Sequence, residues 1–304
     1  MSHVTGKALF DAWRGEVTSE TPPPTWSSGD PIFEPYEVGP GRIILIGGAP
    51  GSGKTAFILQ WIFGMLATCP DLRVLVANVE MPPHALLTRQ LSRLSGVPLT
   101  AIFKRQVDPA DYPKLGKGFD LMRPLIDRLA FASEPHRLLS IATAASDFSA
   151  DLVVVDYLQR IAPHAKVTGT REQVNALMGE LRQTADKGEV GIIAAAALSR
   201  SRDGKGNSSY RSTSMASFRE SSEAEYGADD CLILSPADDD QRAPVRSMLL
   251  THAKSRYGEQ RDAALAFHRG VQRFEFDPFA ASVPMPAPPK RPGKGESHDW
   301  QAFR

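Results

Sequence analysis

The chain has 304 residues, 35 Lys and Arg against 35 Asp and Glu, 42% hydrophobic and 23% charged. That length buries a real core in one large domain or two small ones, and a net charge of zero argues against a surface coated all over by nucleic acid while leaving local basic loops open. There is no bilayer-length apolar run and no basic-then-apolar leader pattern, Cys69 and Cys231 are isolated, and the seven histidines lack ligand spacing, so the expectation is a soluble cytoplasmic protein without disulfide, structural zinc or membrane contact.

Residues 1–29 read as an arm: a short helical pattern over 7–13, then a Pro-rich linker over 21–25. Residues 30–277 read as one domain in which apolar strands alternate with helices. Strands are predicted at 42–46, 73–77, 152–155 and 190–195, and helices at 55–66, 83–94 and 172–186. Continuous apolar strands separated by helices imply an α/β fold, a mostly parallel sheet with helices on both faces. Three further strands, at 231–234, 247–251 and 263–267, follow without long helices between them and are expected as antiparallel strands at one edge. The Pro-, Gly- and Lys-rich segment 278–304 is expected to be a disordered tail.

Between the first strand and the first domain helix stands Gly48-Ala49-Pro50-Gly51-Ser52-Gly53-Lys54-Thr55. Its glycines let backbone N–H groups converge on phosphate oxygens, and the helix N-terminus adds partial positive charge. Lys54 can reach outer phosphates, and the Thr55 hydroxyl can join the shell of a magnesium ion. This is the phosphate loop of a nucleoside-triphosphate hydrolase. Asp156 ends a buried strand, at the sheet edge where ligands bind, and can orient magnesium water there.

Other polar residues are less decided. Glu80, after the second strand, could polarise an attacking water, or could simply be an acidic residue at a helix N-terminus. Lys254 and Arg256 point the same way beyond an edge strand and could clamp phosphate, although a solvated basic turn has the same spacing. The basic loop carrying Arg200, Arg202, Lys205 and Arg211 could touch a phosphate backbone, or be an ordinary surface loop. A weaker polar loop over 163–171 carries His164, Lys166 and Arg171.

Four segments in one order resemble the motor domain of DnaB-type replicative helicases. They are Glu80-Met81-Pro82 with Leu86 and Arg89; Asp156-Tyr157-Leu158-Gln159; Phe218-Arg219-Glu220-Ser221 with Ala228-Asp229; and Lys254-Ser255-Arg256-Tyr257-Gly258. The resemblance spans about residues 30–277 and implies a RecA-like P-loop fold, ATP and Mg2+ as cofactors, and a ring, expected to be a hexamer, with nucleotide sites between subunits. It implies that Glu80 activates water and that Lys254 and Arg256 reach a neighbour's nucleotide. Arg219, Glu220 and Ser222, with the polar loops, would contact single-stranded DNA, and the helix around Phe10 and Trp13 would dock on a neighbour.

The sequence departs from the family at Arg200, where Gln is usual, and at Ser222, where Gly is usual, and residues 1–40 do not supply the family's N-terminal helical domain. The reading is therefore a reduced ATP-dependent DNA helicase of a phage, plasmid or other mobile element, with a primase or loader as partner. A RecA- or RadA-like recombination or regulatory ATPase, or a nucleotide-dependent adaptor, is the alternative.

Overall fold

The computed structural model describes residues 4–19, 21–164, 169–198, 201–202, 208–209, 227–237 and 243–277. Arg200, Lys205, Arg211, Arg219, Glu220, Ser222, Lys166 and the segment 278–304 lie outside the described residues. Among the described residues no helix is long and apolar enough to cross a membrane.

An N-terminal helix α1 (Gly6–Thr18) starts at Thr5, whose hydroxyl accepts from the Ala8 N–H and so caps it. Packing against the domain begins near Trp26, which lies against the core and crowds Gly191. The parallel part of the sheet consists of β1 (Ile43–Gly48), β2 (Val74–Asn78), β3 (Leu129–Phe131), β4 (Leu152–Asp156) and β5 (Gly191–Ala197). A two-strand ladder, β6 (Ser201–Arg202) with β7 (Ser208–Ser209), holds Arg202. The chain then returns through β8 (Asp230–Pro236), β9 (Val245–Ser255), β10 (Ala263–His268) and β11 (Arg273–Phe276). Among the described residues the main sheet runs β11-β10-β9-β8-β1-β5-β4-β2-β3.

β1, β4 and β5 are buried on both faces, except Ala197 at the end of β5, which explains their unbroken Ile, Leu, Val and Ala runs. One face carries α2 (Lys54–Thr68), α3 (Pro83–Ser95) and α5 (Tyr112–Met122), with the short α4 (Leu99–Lys104) beside them; the other carries α6 (Leu138–Phe148) and α7 (Thr170–Gly188). α2 is apolar on most of its surface because it is covered on several sides: by the sheet, by α3, and by the aromatic end of β10 and β11. Phe57 meets Phe274 edge-on at 5.3 Å between centroids, and Phe274 stacks on Phe267 at 4.2 Å.

One expectation is corrected. The strand around residues 231–234 is antiparallel on one side only: β8 lies inside the sheet, antiparallel to β9 but parallel to β1, with Leu45 level with Cys231 and Gly48 level with Leu234. The chain between β5 and β8 is long enough for the crossover that a parallel neighbour requires. Beyond β8 the main sheet continues antiparallel, through the pairs β8–β9, β9–β10 and β10–β11, since their short connections allow nothing else. The edge strands β3 and β11 and the helices α4, α5 and α6 escaped the sequence reading. β3 and β11 are only three and four residues long, too short to show a period.

Candidate nucleotide site

The site sits where β1, β2, β4 and β5 end, at the C-terminal edge of the parallel strands. β1 delivers Gly48 there and α2 begins at Lys54. Two glycines have specific reasons. A Cβ on Gly48 would stand 2.6 Å from Ser52 Oγ and 2.8 Å from the Leu234 carbonyl, so the loop closes on itself only without one. Gly53 has φ of +94° and lies against the Phe267 and Phe274 rings, so it needs both the left-handed conformation and the missing side chain.

Within the loop, Lys54 Nζ donates to the carbonyls of Gly48 at 2.7 Å and Ala49 at 3.0 Å. Burial lowers the Lys54 pKa, and Asp156 and Glu80 oppose that shift. Ser52 Oγ is buried with no hydrogen-bond partner among the described residues. Thr55 donates its hydroxyl proton to Asp156 Oδ2 at 2.6 Å, joining the first turn of α2 to the end of β4. Burial raises the Asp156 pKa above 3.8; the Thr55 hydrogen bond and the Lys54 charge work against it. The Asp156–Tyr157 peptide is cis.

Asn78 was missed by the sequence reading. It ends β2 level with Asp156, donates Nδ2 to Asp156 Oδ2 at 2.7 Å, and accepts the N–H groups of Glu80 and Met81 on Oδ1 at 3.0 and 2.8 Å. One amide thus orients the Asp156 carboxylate and shapes the backbone turn from which the exposed Glu80 projects. Gln159 does similar work one strand over, exchanging hydrogen bonds with the backbone N–H and carbonyl of Ala197 at 3.2 and 3.0 Å.

A cleft of about 460 Å³ joins these residues. Pro50, Gly51, Gly53, Lys54 and Thr55 of the loop line it together with Glu80, Asp156, Arg89, Phe267 and Gln272. The donor set fits a magnesium nucleotide. Magnesium takes oxygen ligands, commonly one or two carboxylates with phosphates and water, and here one buried carboxylate and one hydroxyl adjoin the Gly-rich loop at the start of α2.

Lys254 and Arg256 are not in this cleft. Ser255 is level with Asp230, and Asp230 is level with Ile44 near the start of β1, so about 15 Å of strand rise separates Arg256 from Gly48. Both cations also have partners in their own chain. Lys254 Nζ donates to the Ala228 carbonyl at 2.7 Å, and Arg256 Nη1 to Asp229 Oδ1 at 2.7 Å. Asp229 is buried and holds Arg182 and the Ile43 N–H on its other oxygen, each at 2.8 Å.

The model of the DnaB-like helicase C terminal domain matches residues 37–276. Replicative DNA helicase DnaB of Helicobacter pylori (strain ATCC 700392 / 26695) is 25% identical over 198 residues, 64% of this chain and 40% of that relative, so the chain spans less than half of its length. Among solved structures, the ATPase domain of G40P matches with a TM-score of 0.75 at 20% identity, over 90% of this chain and 99% of that one. A DnaB-like replicative helicase, solved with attention to its interactions with primase, matches with a TM-score of 0.74 at 19% identity, over 89% of this chain and 68% of that one. These likenesses establish a RecA-like fold, and with the family match over most of its length the chain belongs to the DnaB-like helicase C-terminal domain family.

Proposed function

We propose that the chain is the ATP-hydrolysing motor of a replicative DNA helicase, working on single-stranded DNA as a ring of copies. The observation that most supports this reading is the division of the charged residues between two sheet edges. Lys54, Thr55, Glu80 and Asp156 gather at one, while Lys254 and Arg256 stand at the other, out of reach of their own phosphate loop. A head-to-tail ring brings unlike faces of neighbours together, which would give Lys254 and Arg256 a phosphate to stabilise. A hexamer is the ring we propose.

When bound, magnesium ATP supplies the bond to be broken and a cation that offsets phosphate charge. Lys54 exchanges the Gly48 and Ala49 carbonyls for phosphate oxygens. Thr55 and Asp156 hold magnesium. Glu80 takes a proton from the attacking water, on a turn set by Asn78. Arg219, Glu220 and Ser222, with Arg200, Arg202, Lys205 and Arg211, contact DNA. Phe10 and Trp13 on α1, each about half exposed, dock on a neighbouring copy. A primase or loader is the partner proposed from the family, and a phage, plasmid or other mobile element is the proposed carrier.

The test is hydrolysis of ATP by the purified chain with and without single-stranded DNA, beside separation of a forked duplex. Stimulation by single strands together with unwinding supports the motor. Equal hydrolysis in both conditions and an intact fork sink it.

A further inference from the structure

The sheet edge opposite the phosphate loop is organised around one buried carboxylate. Asp229 immediately precedes β8, and its side chain is 1% exposed. Each of its polar groups is engaged. Its N–H donates to the Ile43 carbonyl at 2.8 Å, and its carbonyl accepts the Arg256 N–H at 3.0 Å. Oδ2 accepts from the Ile43 N–H and from Arg182 Nη1, and Oδ1 accepts from Arg256 Nη1 at 2.7 Å. One residue thus holds Arg256 twice, by its backbone and by its guanidinium.

The needs of the core do not by themselves call for a carboxylate at this position. The Ile43 N–H, at the start of β1, requires an acceptor, and the amide oxygen of an asparagine would supply one. Arg182 already pairs with Asp186 at 2.6 Å and donates to the Gly41 carbonyl. A buried full charge is costly unless it is paired, and the further cation that Asp229 pairs is Arg256. Arg256 also differs from the other two partners in exposure. Its side chain is 40% exposed, whereas Ile43 is buried and the Arg182 side chain is 21% exposed. The carboxylate is therefore fixed in the core by β1 and α7, and it fixes in turn a guanidinium at the surface. A planar fork gripped at one nitrogen has its remaining donors set in direction.

We propose that Asp229 is a positioning residue that aims the Arg256 guanidinium at the nucleotide of a neighbouring copy. The assignment rests on the action of Arg256 in trans, as proposed above. Asp229 acts through Arg256 and touches no nucleotide itself. Without it the guanidinium loses its alignment with the charge that develops in the transition state, so the loss falls on turnover and spares nucleotide affinity.

Asp229→Asn is the informative variant, because its amide oxygen can keep the Ile43 N–H while the charge is removed. It is assayed alone and in subunit-exchanging mixtures with Lys54→Ala and with Arg256→Ala, with thermal melts and ADP binding alongside. Arg182→Ala is the stability control, since it removes a partner of Asp229 and leaves Arg256 held. Asp229→Asn is expected to lower kcat about ten- to a hundredfold and to change ADP affinity by no more than about twofold. Arg182→Ala is expected to melt earlier than wild type and to keep kcat within about twofold. Mixed with Lys54→Ala, Asp229→Asn should regain activity, because some interfaces combine its intact phosphate loop with a well-aimed arginine. Mixed with Arg256→Ala it should regain none, because no interface then has one. Recovery with Arg256→Ala, no recovery with Lys54→Ala, unchanged kcat, or an equal loss of kcat in Arg182→Ala would each overturn the proposal. Should Asp229→Asn not fold, Asp229→Glu keeps the charge but displaces the guanidinium, and the same outcomes decide. Failure of Lys54→Ala and Arg256→Ala to complement each other would instead remove the trans reading on which it rests.

Discussion

Asp156 carries a cost in the ligand-free protein. Its carboxyl ionises above its ordinary value because it is buried, so the folded chain binds that proton more tightly than the unfolded chain does. The stabilising effect of the protonated form is complete below 3.8 and is lost as pH rises through the higher folded value. Asp156→Asn removes the buried charge and keeps an oxygen that can accept from Thr55. The variant is therefore expected to be more stable than wild type near neutrality by about 1 kcal/mol, or roughly 2–4 °C, with the gap closing on acidification. Denaturant midpoints of both proteins between about pH 4 and about pH 7 check this; a wild type that gains on the variant as pH rises contradicts it. The same variant should lose the extra stability that magnesium nucleotide confers on wild type. Asn78 works at the same scale. Asn78→Ala deletes the Asp156 contact and the acceptor beneath the Glu80 turn, so kcat for ATP should fall by about tenfold or more with a smaller change in KM. Steady-state kinetics decide, and a change confined to KM would assign Asn78 to ligand binding alone.

Among the secondary elements, the end of β9 is the one whose role differs most between sequence and structure. Read along the chain, Lys254 and Arg256 are two cations on one side of a strand. In the fold, Arg256 is an ion-pair partner of buried Asp229, which Arg182 from α7 and the start of β1 also share. Arg256→Ala should thus cost stability even if the residue serves a neighbour. The expected loss is modest, about 1 kcal/mol, because Asp229 keeps Arg182 and the Ile43 N–H and Arg256 is 40% exposed on its side chain. Nucleotide binding should persist while hydrolysis is lost, since a cation acting on transition-state charge contributes little to the ground state. Melting, ADP binding and turnover measured on one preparation separate the two roles. Loss of nucleotide binding, or full turnover, refutes the finger role.

At the scale of the whole molecule, the proposed ring makes a prediction that a monomeric enzyme cannot satisfy. Lys54→Ala lacks a phosphate-loop lysine but keeps Arg256, and Arg256→Ala is its converse. Mixed and allowed to exchange subunits, they should regain ATPase activity, because about a quarter of randomly formed interfaces would combine an intact loop with an intact arginine. Each variant alone should stay inactive. A mixture no more active than its components, in a preparation shown to exchange subunits, rules out action in trans.

Much of this arrangement was legible in the sequence, and the division has a physical basis. The phosphate loop, the strand before it, the helix after it and the carboxylate ending β4 are local features. Each depends on a few consecutive residues: apolar runs, glycines where a Cβ has no room, a lysine and threonine opening a helix. What depends on register was not legible. Asn78 lies beside Asp156, Gln272 holds Arg89, and Arg256 pairs with Asp229, across separations of 78, 183 and 27 residues. No short-range pattern encodes such pairings. They follow from which strands become neighbours, and packing of the whole sheet between its two helical layers sets that order. The sequence by itself determined that the chain builds a phosphate loop on an α/β sheet. Only the tertiary structure decided that β8 joins the sheet parallel to β1, which carries the Arg256 end of β9 to the edge opposite that loop.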